Sequence, residues 1–188
     1  ASRSRLVIMQ ERQAFWIVLP VAVALGLLVL LLATGDPASK RNNTFQLQGE
    51  VAPLIEGSTI DGGWFDIDDE RGRWVIVNFF STSCVPCIVE HPELVAFSDA
   101  HDALGDATVV SLAFDDRAEN VVEFFQDNGG SWPVLAQDTG EIAVQYGVTG
   151  VPESYIVAPS GIVVGRFIGG LTAAALDDAI ATLTGADT

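Results

Sequence analysis

Cysteine is scarce in this chain: Cys84 and Cys87 are the only two among 188 residues, and His91 and His101 are the only histidines. A structural zinc site needs four ligands at characteristic spacings, so one Cys-x-x-Cys pair with no second ligand pair does not supply it. No cysteine lies near the end of the one long apolar run, which excludes a lipid-modified cysteine anchor. Positive charge is scarce as well. Nine Lys and Arg face 25 Asp and Glu, for a formal net charge of −16, and Lys40 is the only lysine. Residues 36–188 hold 24 of the acidic and six of the basic side chains, a formal −18. Such a surface repels phosphates and anionic headgroups, so no nucleic-acid partner is expected. It suits solubility, a basic partner or a salty medium. Internal repeats and low-complexity tracts are absent.

The exception among apolar runs is Phe15 to Ala33, "FWIVLPVAVALGLLVLLLA", which contains no charge. Nineteen helical residues at about 1.5 Å each come close to the ~30 Å hydrocarbon core of a bilayer. The expected organisation is a cytoplasmic tail at 1–13, a transmembrane helix at 14–33, a polar linker "TGDPASKRNNT" at 34–44 and a globular domain at 45–188. A cleaved secretory signal would also begin with basic residues such as Arg3, Arg5 and Arg12. Its apolar core, however, is usually about 7 to 15 residues, and "ATG" at 33–35 is a poor cleavage site. An uncleaved anchor is therefore expected. Three basic residues precede the run, and Lys40 and Arg41 follow it. The positive-inside rule then points to an N-terminus in the cytoplasm and a domain outside the cytoplasmic membrane.

Within the domain, "STIDGGWFDI" predicts a strand pair turned by Asp61-Gly62-Gly63. "WVIVNFF", Trp74 to Phe80, is nearly all apolar and rich in β-branched and aromatic residues, the pattern of a strand buried on both faces. A helix is expected from Val85 to His101, a strand at 108–114, a helix from Ala118 to Asn128 and a short strand near Val134. A short helix at 141–146, a strand at 154–158, a Pro159-Ser160-Gly161 turn and the strand "IVVGRFI" come next. Thr172 is the expected cap of a final helix running to Leu183. Strands that alternate with helices and then form a hairpin imply an α/β sandwich with a mixed sheet.

"FFSTSCVPCIVEHPEL", residues 79–94, sets both cysteines where the apolar strand gives way to a helix. A purely structural disulfide would close too small a loop to constrain the unfolded chain much, so redox chemistry is the economical reading. If Val85 opens the helix, Cys84 is its N-cap, where free backbone N–H groups and the helix dipole stabilise a thiolate. Pro86 suits the first turn, because its missing N–H would have had no partner there. Cys84 is then the exposed nucleophile and Cys87, one turn in, the resolving thiol.

This segment resembles the thioredoxin superfamily at "VIVNFFSTSCVPC", at Pro92 within the following helix, and at "YGVTGVPESYIV", 146–157, which is similar to the family's cis-proline loop. The anchor, the sequence ahead of the motif and the extra helical sequence after it are similar to the TlpA, ResA and CcmG (DsbE) group of membrane-anchored thiol reductants. The resemblance implies a thioredoxin-like three-layer sandwich over about residues 45 to 184. It implies a cis Val151-Pro152 bond, and substrate binding by Val151 and Pro152 with Ser83, Val85 and Pro86 beside the sulfurs. It also implies roles for Glu90, three residues after Cys87, and Glu153, directly after the proline. Each would raise a nearby thiol pKa or accept the proton of Cys87. Ser83 stands where the superfamily usually has Trp, and Asn78 where thioredoxin has an acidic residue.

The activity implied is protein thiol-disulfide exchange, with no cofactor beyond the redox-active disulfide Cys84-Cys87. Apocytochrome c disulfides are the expected substrates, and a membrane electron donor of the thiol-reductase type would re-reduce the pair. A general envelope reductase or an oxidant would share the same chemistry. Of other classes, a Cu(I) metallochaperone would usually need a downstream histidine, and none follows His101. A redox-silent assembly subunit is the third alternative. A peroxidase would need a Pro and Thr arrangement ahead of the first cysteine that this chain lacks.

Overall fold

A computed structural model describes residues 45–186. The expected tail, transmembrane helix and linker lie outside the described residues. Among the described residues no helix is long and apolar enough to cross a membrane.

The domain begins with a hairpin, β1 (Glu56–Ser58) antiparallel to β2 (Trp64–Asp66). Its turn is the expected one: Gly62 sits at φ +86°, a region open to glycine at little cost, and Asp61 Oδ1 accepts from the Gly63 amide at 3.2 Å. A one-turn 3-10 segment, Ile67–Glu70, then leads into β3 (Trp74–Phe80). β3 is the middle of a five-stranded sheet. It pairs in parallel with β4 (Ala107–Ala113), which pairs in parallel with the two-residue β5 (Val134–Leu135). On its other side β3 runs antiparallel to β6 (Glu153–Val157), which is antiparallel to the edge strand β7 (Val163–Ile168). The order β5-β4-β3-β6-β7 is the mixed sheet expected from the chain pattern.

Four helices complete the domain: α1 (Val85–Asp102), α2 (Ala118–Asn128), α3 (Thr139–Tyr146) and α4 (Ala173–Ala186). Alternate residues of β3 feed two separate cores, as a two-residue strand period requires. Ile76 and Phe80 join Leu94, Phe97, Val121, Phe125 and Leu176, from α1, α2 and α4. Val75, Val77 and Phe79 join Phe65 of β2 and Ala143 and Tyr146 of α3 on the opposite face. The result is three layers with β3 buried between them. Expected and observed ends agree within one to three residues, and the Thr172 hydroxyl accepts from the Ala175 amide at 3.2 Å, capping α4 as expected.

α1 explains the placement of the chemistry. Its buried residues are Cys87, Glu90, His91, Leu94, Phe97 and Ser98, spaced as one face of a helix. Glu90 and His91 are anomalous on a core-facing stripe, where such polar side chains are uncommon. His91 is accounted for by packing. Its ring lies 4.8 and 5.1 Å from Phe124 and Phe125, its Nε2 is 2.9 Å from the Gly129 carbonyl, and burial pushes its pKa down.

Candidate active site

The C-terminal end of β3 delivers the chain to Cys84, the N-cap of α1, at φ −85° and ψ 108°. The Cys87 amide donates to Cys84 Sγ at 3.3 Å, a capping contact in which sulfur takes the place usually held by oxygen. The two cysteines form a disulfide with Cα atoms 5.2 Å apart. Cys84 is half-buried and Cys87 buried, while Ser83, Val85 and Pro86 are exposed around them. An incoming sulfur can therefore approach Cys84 and not Cys87. In the dithiol state the N-terminal amides of α1 favour the Cys84 thiolate.

The Val151-Pro152 bond is cis, as the resemblance implied. The Val151 carbonyl oxygen lies 3.5 Å from Cys84 Sγ, so the loop stands directly beside the outer sulfur. Pro86, Thr149, Gly150, Val151, Pro152, Glu153, Ile168 and Gly169 line a cleft of about 240 Å³ at this point. Of the five expected substrate contacts, Val151, Pro152 and Pro86 line that cleft. Ser83 and Val85 stand at the exposed rim.

Glu90 is 3% exposed, and its Oε1 accepts from Asn78 Nδ2 at 2.8 Å. Its Oε2 is buried and has no hydrogen-bond partner. It faces the loop ahead of α4, where a Cβ built on Gly170 would stand 3.8 Å from it. Burial pushes the Glu90 carboxyl up to about 7, against the opposing pull of the Leu171 backbone and the Asn78 amide. Three residues of helix separate it from Cys87, so the two share a face.

Glu153 is placed differently. Side chains alternate along β6, so Ser154 points to the α1 side, where it bonds Asn78 at 3.0 Å, and Glu153 points to the other. There Glu153 Oε1 accepts from Arg166 Nε and Nη2, each at 2.8 Å, and from the Tyr155 hydroxyl. Its Oε2 takes the Thr149 amide at 3.4 Å. Fully buried and paired, Glu153 holds the cis-proline loop to β7.

Sequence reasoning missed Asp116. Its Oδ2 accepts from the Thr82 amide at 2.6 Å, the Thr82 hydroxyl at 2.7 Å and the Ser81 hydroxyl at 3.1 Å, tying down the loop that presents Cys84. Burial opposes its ionisation, but the hydrogen bonds from Thr82, Arg117 and Asn120 outweigh this and hold its carboxyl below the usual range. Nothing local flags it, because Asp116 is 34 residues from Thr82 and this chain is rich in aspartate. Among the described residues no cluster of three or more His, Cys, Asp or Glu side chains could hold a metal.

Residues 48–166 match the AhpC/TSA family. The chain belongs to that family. One relative is the thiol:disulfide interchange protein CycY of Rhizobium leguminosarum bv. viciae, 31% identical over 58% of this chain and 58% of CycY. Another is the thiol:disulfide interchange protein DsbE homolog of Paracoccus denitrificans, 30% identical over 81% of this chain and 84% of that protein. A solved thiol:disulfide interchange protein of the thioredoxin family from Chlorobium tepidum superposes with a TM-score of 0.63 at 30% identity. That superposition covers 72% of this chain and 94% of the other. This AhpC/TSA-family chain is accordingly a protein thiol-disulfide oxidoreductase with a thioredoxin-like fold, as its Cys-x-x-Cys motif implied.

Proposed function

We propose that the chain is a membrane-anchored, extracytoplasmic reductant of protein disulfides, acting on the haem-binding cysteines of apocytochrome c. The observation that carries the exchange chemistry is the half-buried N-cap Cys84, with buried Cys87 behind it and the cis-proline loop 3.5 Å from its sulfur. The resemblance of the sequence to the TlpA, ResA and CcmG (DsbE) group, consistent with the name of the DsbE homolog, supports the choice of substrate. The uncharged run Phe15 to Ala33 supports the anchor.

In the reducing direction the Cys84 thiolate attacks one sulfur of the substrate disulfide, and the other leaves as a thiolate that takes a proton from solvent. The backbone of Val151 and Pro152 lies where an extended substrate segment could pair beside the new mixed disulfide. Cys87 then gives its proton to Glu90 Oε2 and attacks Cys84 Sγ. The mixed disulfide breaks, the second substrate thiolate leaves, and Cys84-Cys87 re-forms. The departing thiolate takes the proton held at Glu90 Oε2, and the substrate has gained two electrons from the cysteine pair. A membrane donor of the thiol-reductase type returns them, because the compartment is oxidising.

The test is the reduction potential, read by equilibrating the protein in defined thiol buffers and alkylating free thiols. A value on the order of thioredoxin's −270 mV supports the reductant, and one near about −120 mV makes the protein an oxidant instead. In cells, Cys87→Ser should trap apocytochrome c on Cys84. Capture of other envelope proteins alone would make it a general reductase. Stoichiometric Cu(I) binding that survives a competing chelator would favour a metallochaperone. Unimpaired function of a Cys84→Ser, Cys87→Ser double variant would favour a redox-silent assembly subunit.

A further inference from the structure

Beneath the disulfide, the α1 side of the sheet carries a chain of buried hydrogen bonds that has a direction. Trp132 Nε1 donates to Ser111 Oγ at 2.8 Å, and Ser111 Oγ donates to Asn78 Oδ1 at 3.4 Å. Asn78 Nδ2 donates in turn to Glu90 Oε1 at 2.8 Å and to Ser154 Oγ at 3.0 Å. Trp132, Ser111, Asn78 and Ser154 are 7%, 1%, 2% and 1% exposed, so water does not substitute for any link. An indole N–H can only donate, which fixes the polarity at that end. With one lone pair of Ser111 Oγ committed to the indole, its hydroxyl hydrogen is free for Asn78 Oδ1.

The Asn78 amide has two orientations, and they differ in what they offer Glu90. As observed, its N–H faces the carboxylate. Turned over, it would set Oδ1 against Glu90, an arrangement that only a protonated carboxyl can satisfy. It would also leave the Ser111 hydroxyl hydrogen without its acceptor. The Ser111 link therefore favours the orientation that stabilises the Glu90 anion, and the indole strengthens that link by polarising the hydroxyl.

We propose that Ser111 and Trp132 are positioning residues for the thiol chemistry, holding the Asn78 amide so that its N–H keeps Glu90 Oε1 occupied and leaves Oε2 to exchange the proton. The proposal rests on Glu90 as the proton acceptor of Cys87. Other ionisable groups around Glu90 are engaged elsewhere. On α1, the Cys84-Cys87 pair is a disulfide, His91 is turned to the Gly129 carbonyl, and Glu93 accepts from the Ala173 amide at 3.0 Å. From β6, Ser154 is neutral and Glu153 is paired with Arg166 on the other face. The loop ahead of α4 offers only backbone at Gly170 and Leu171. Asn78 is thus the one side chain opposing the effect of burial on Glu90, beside the larger pull of the Leu171 backbone.

The experiment is a carbon-13 titration of the Glu90 carboxyl in the oxidised full-length chain, with the resonance assigned by Glu90→Gln. Ser111→Ala should raise the Glu90 midpoint by about one pH unit, since a hydrogen bond to a charged group is weakened. Trp132→Phe should raise it by less. Phe125→Leu disturbs packing against Trp132, 5.6 Å away, without touching the hydrogen-bonded chain, and should leave the midpoint in place. A midpoint unmoved to within about 0.2 unit in Ser111→Ala would overturn the proposal, as would an equal rise in Phe125→Leu. The proton-acceptor role fails separately, if Glu90→Gln resolves mixed disulfides at the parental rate.

Discussion

The environment of Glu90 bears both on its proposed proton transfer and on the stability of the fold. Burial raises it from 4.5 to about 7, so near neutral pH it can both take a proton from Cys87 and give it up again. The same shift ties stability to pH. Between about 4.5 and 7 the folded chain holds a proton that the unfolded chain has lost, so this contribution is complete at low pH and disappears as pH rises through 7. The lost contribution is on the order of 3 kcal/mol at most. Glu90→Gln keeps an acceptor for Asn78 and removes the titration. Denaturant unfolding of the oxidised protein at pH 5 and pH 8 should show a stability gap in the parent that narrows in Glu90→Gln. Stopped-flow resolution of a mixed disulfide should slow in the same variant by about 10²-fold. An unchanged gap would mean that Glu90 is not the buried acid described here. Of the two carboxylates flagged from sequence, only Glu90 has a free oxygen on the α1 side. The sequence offset of Glu153 from the proline could not reveal this, because Arg166, its counter-ion, is 13 residues away on β7.

At the scale of elements, the strands and helices were legible because their signals are local. β3 reads directly from "WVIVNFF", and the cap at Thr172 and the turn at Gly62 each depend on a few neighbouring residues. The joints between elements were not legible, and His101 shows why. It closes α1 against α4: Nδ1 lies 2.8 Å from Asp106 Oδ1, and Nε2 lies 3.0 Å from Asp177 Oδ1, 76 residues away. Both ring nitrogens face carboxylates, and only the imidazolium can donate to both. Burial lowers the pKa of His101, but the two aspartates outweigh it and raise the value above that of a free histidine. A raised histidine stabilises fully below its unfolded pKa, about 6.5, and loses that contribution as pH climbs through the folded value. His101→Gln should therefore lower the melting temperature at pH 6 and change it little at pH 9. Equal loss at both pH values would make His101 a packing residue, through its ring contact with Phe97 at 4.3 Å.

For the whole molecule, the cysteine pair and cis-proline were legible as motifs, whereas the site that surrounds them is assembled by the sheet order. Asn78 meets Ser154 across 76 residues and Ser111 across 33, contacts that exist only once β3 lies between β4 and β6. One global property does pass directly from sequence to function. The chain carries a formal −16, yet the first turns of α1 and the cleft expose Val85, Val89 and Ile168, at 69%, 71% and 74% exposure. Charge is expected to act on substrates from a distance, by attracting cations toward the domain. Long-range attraction is screened by salt, with a Debye length of about 10 Å at 0.1 M and about 3 Å at 1 M. The reduced protein should react faster with cystamine, a cationic disulfide, than with oxidised glutathione, an anionic one, at low ionic strength. Raising salt to about 1 M should slow the first reaction, speed the second and bring their ratio toward the value set by intrinsic reactivity. A ratio insensitive to salt would locate substrate selection in the cleft at Val151 and Pro152 rather than in the field of the whole acidic surface.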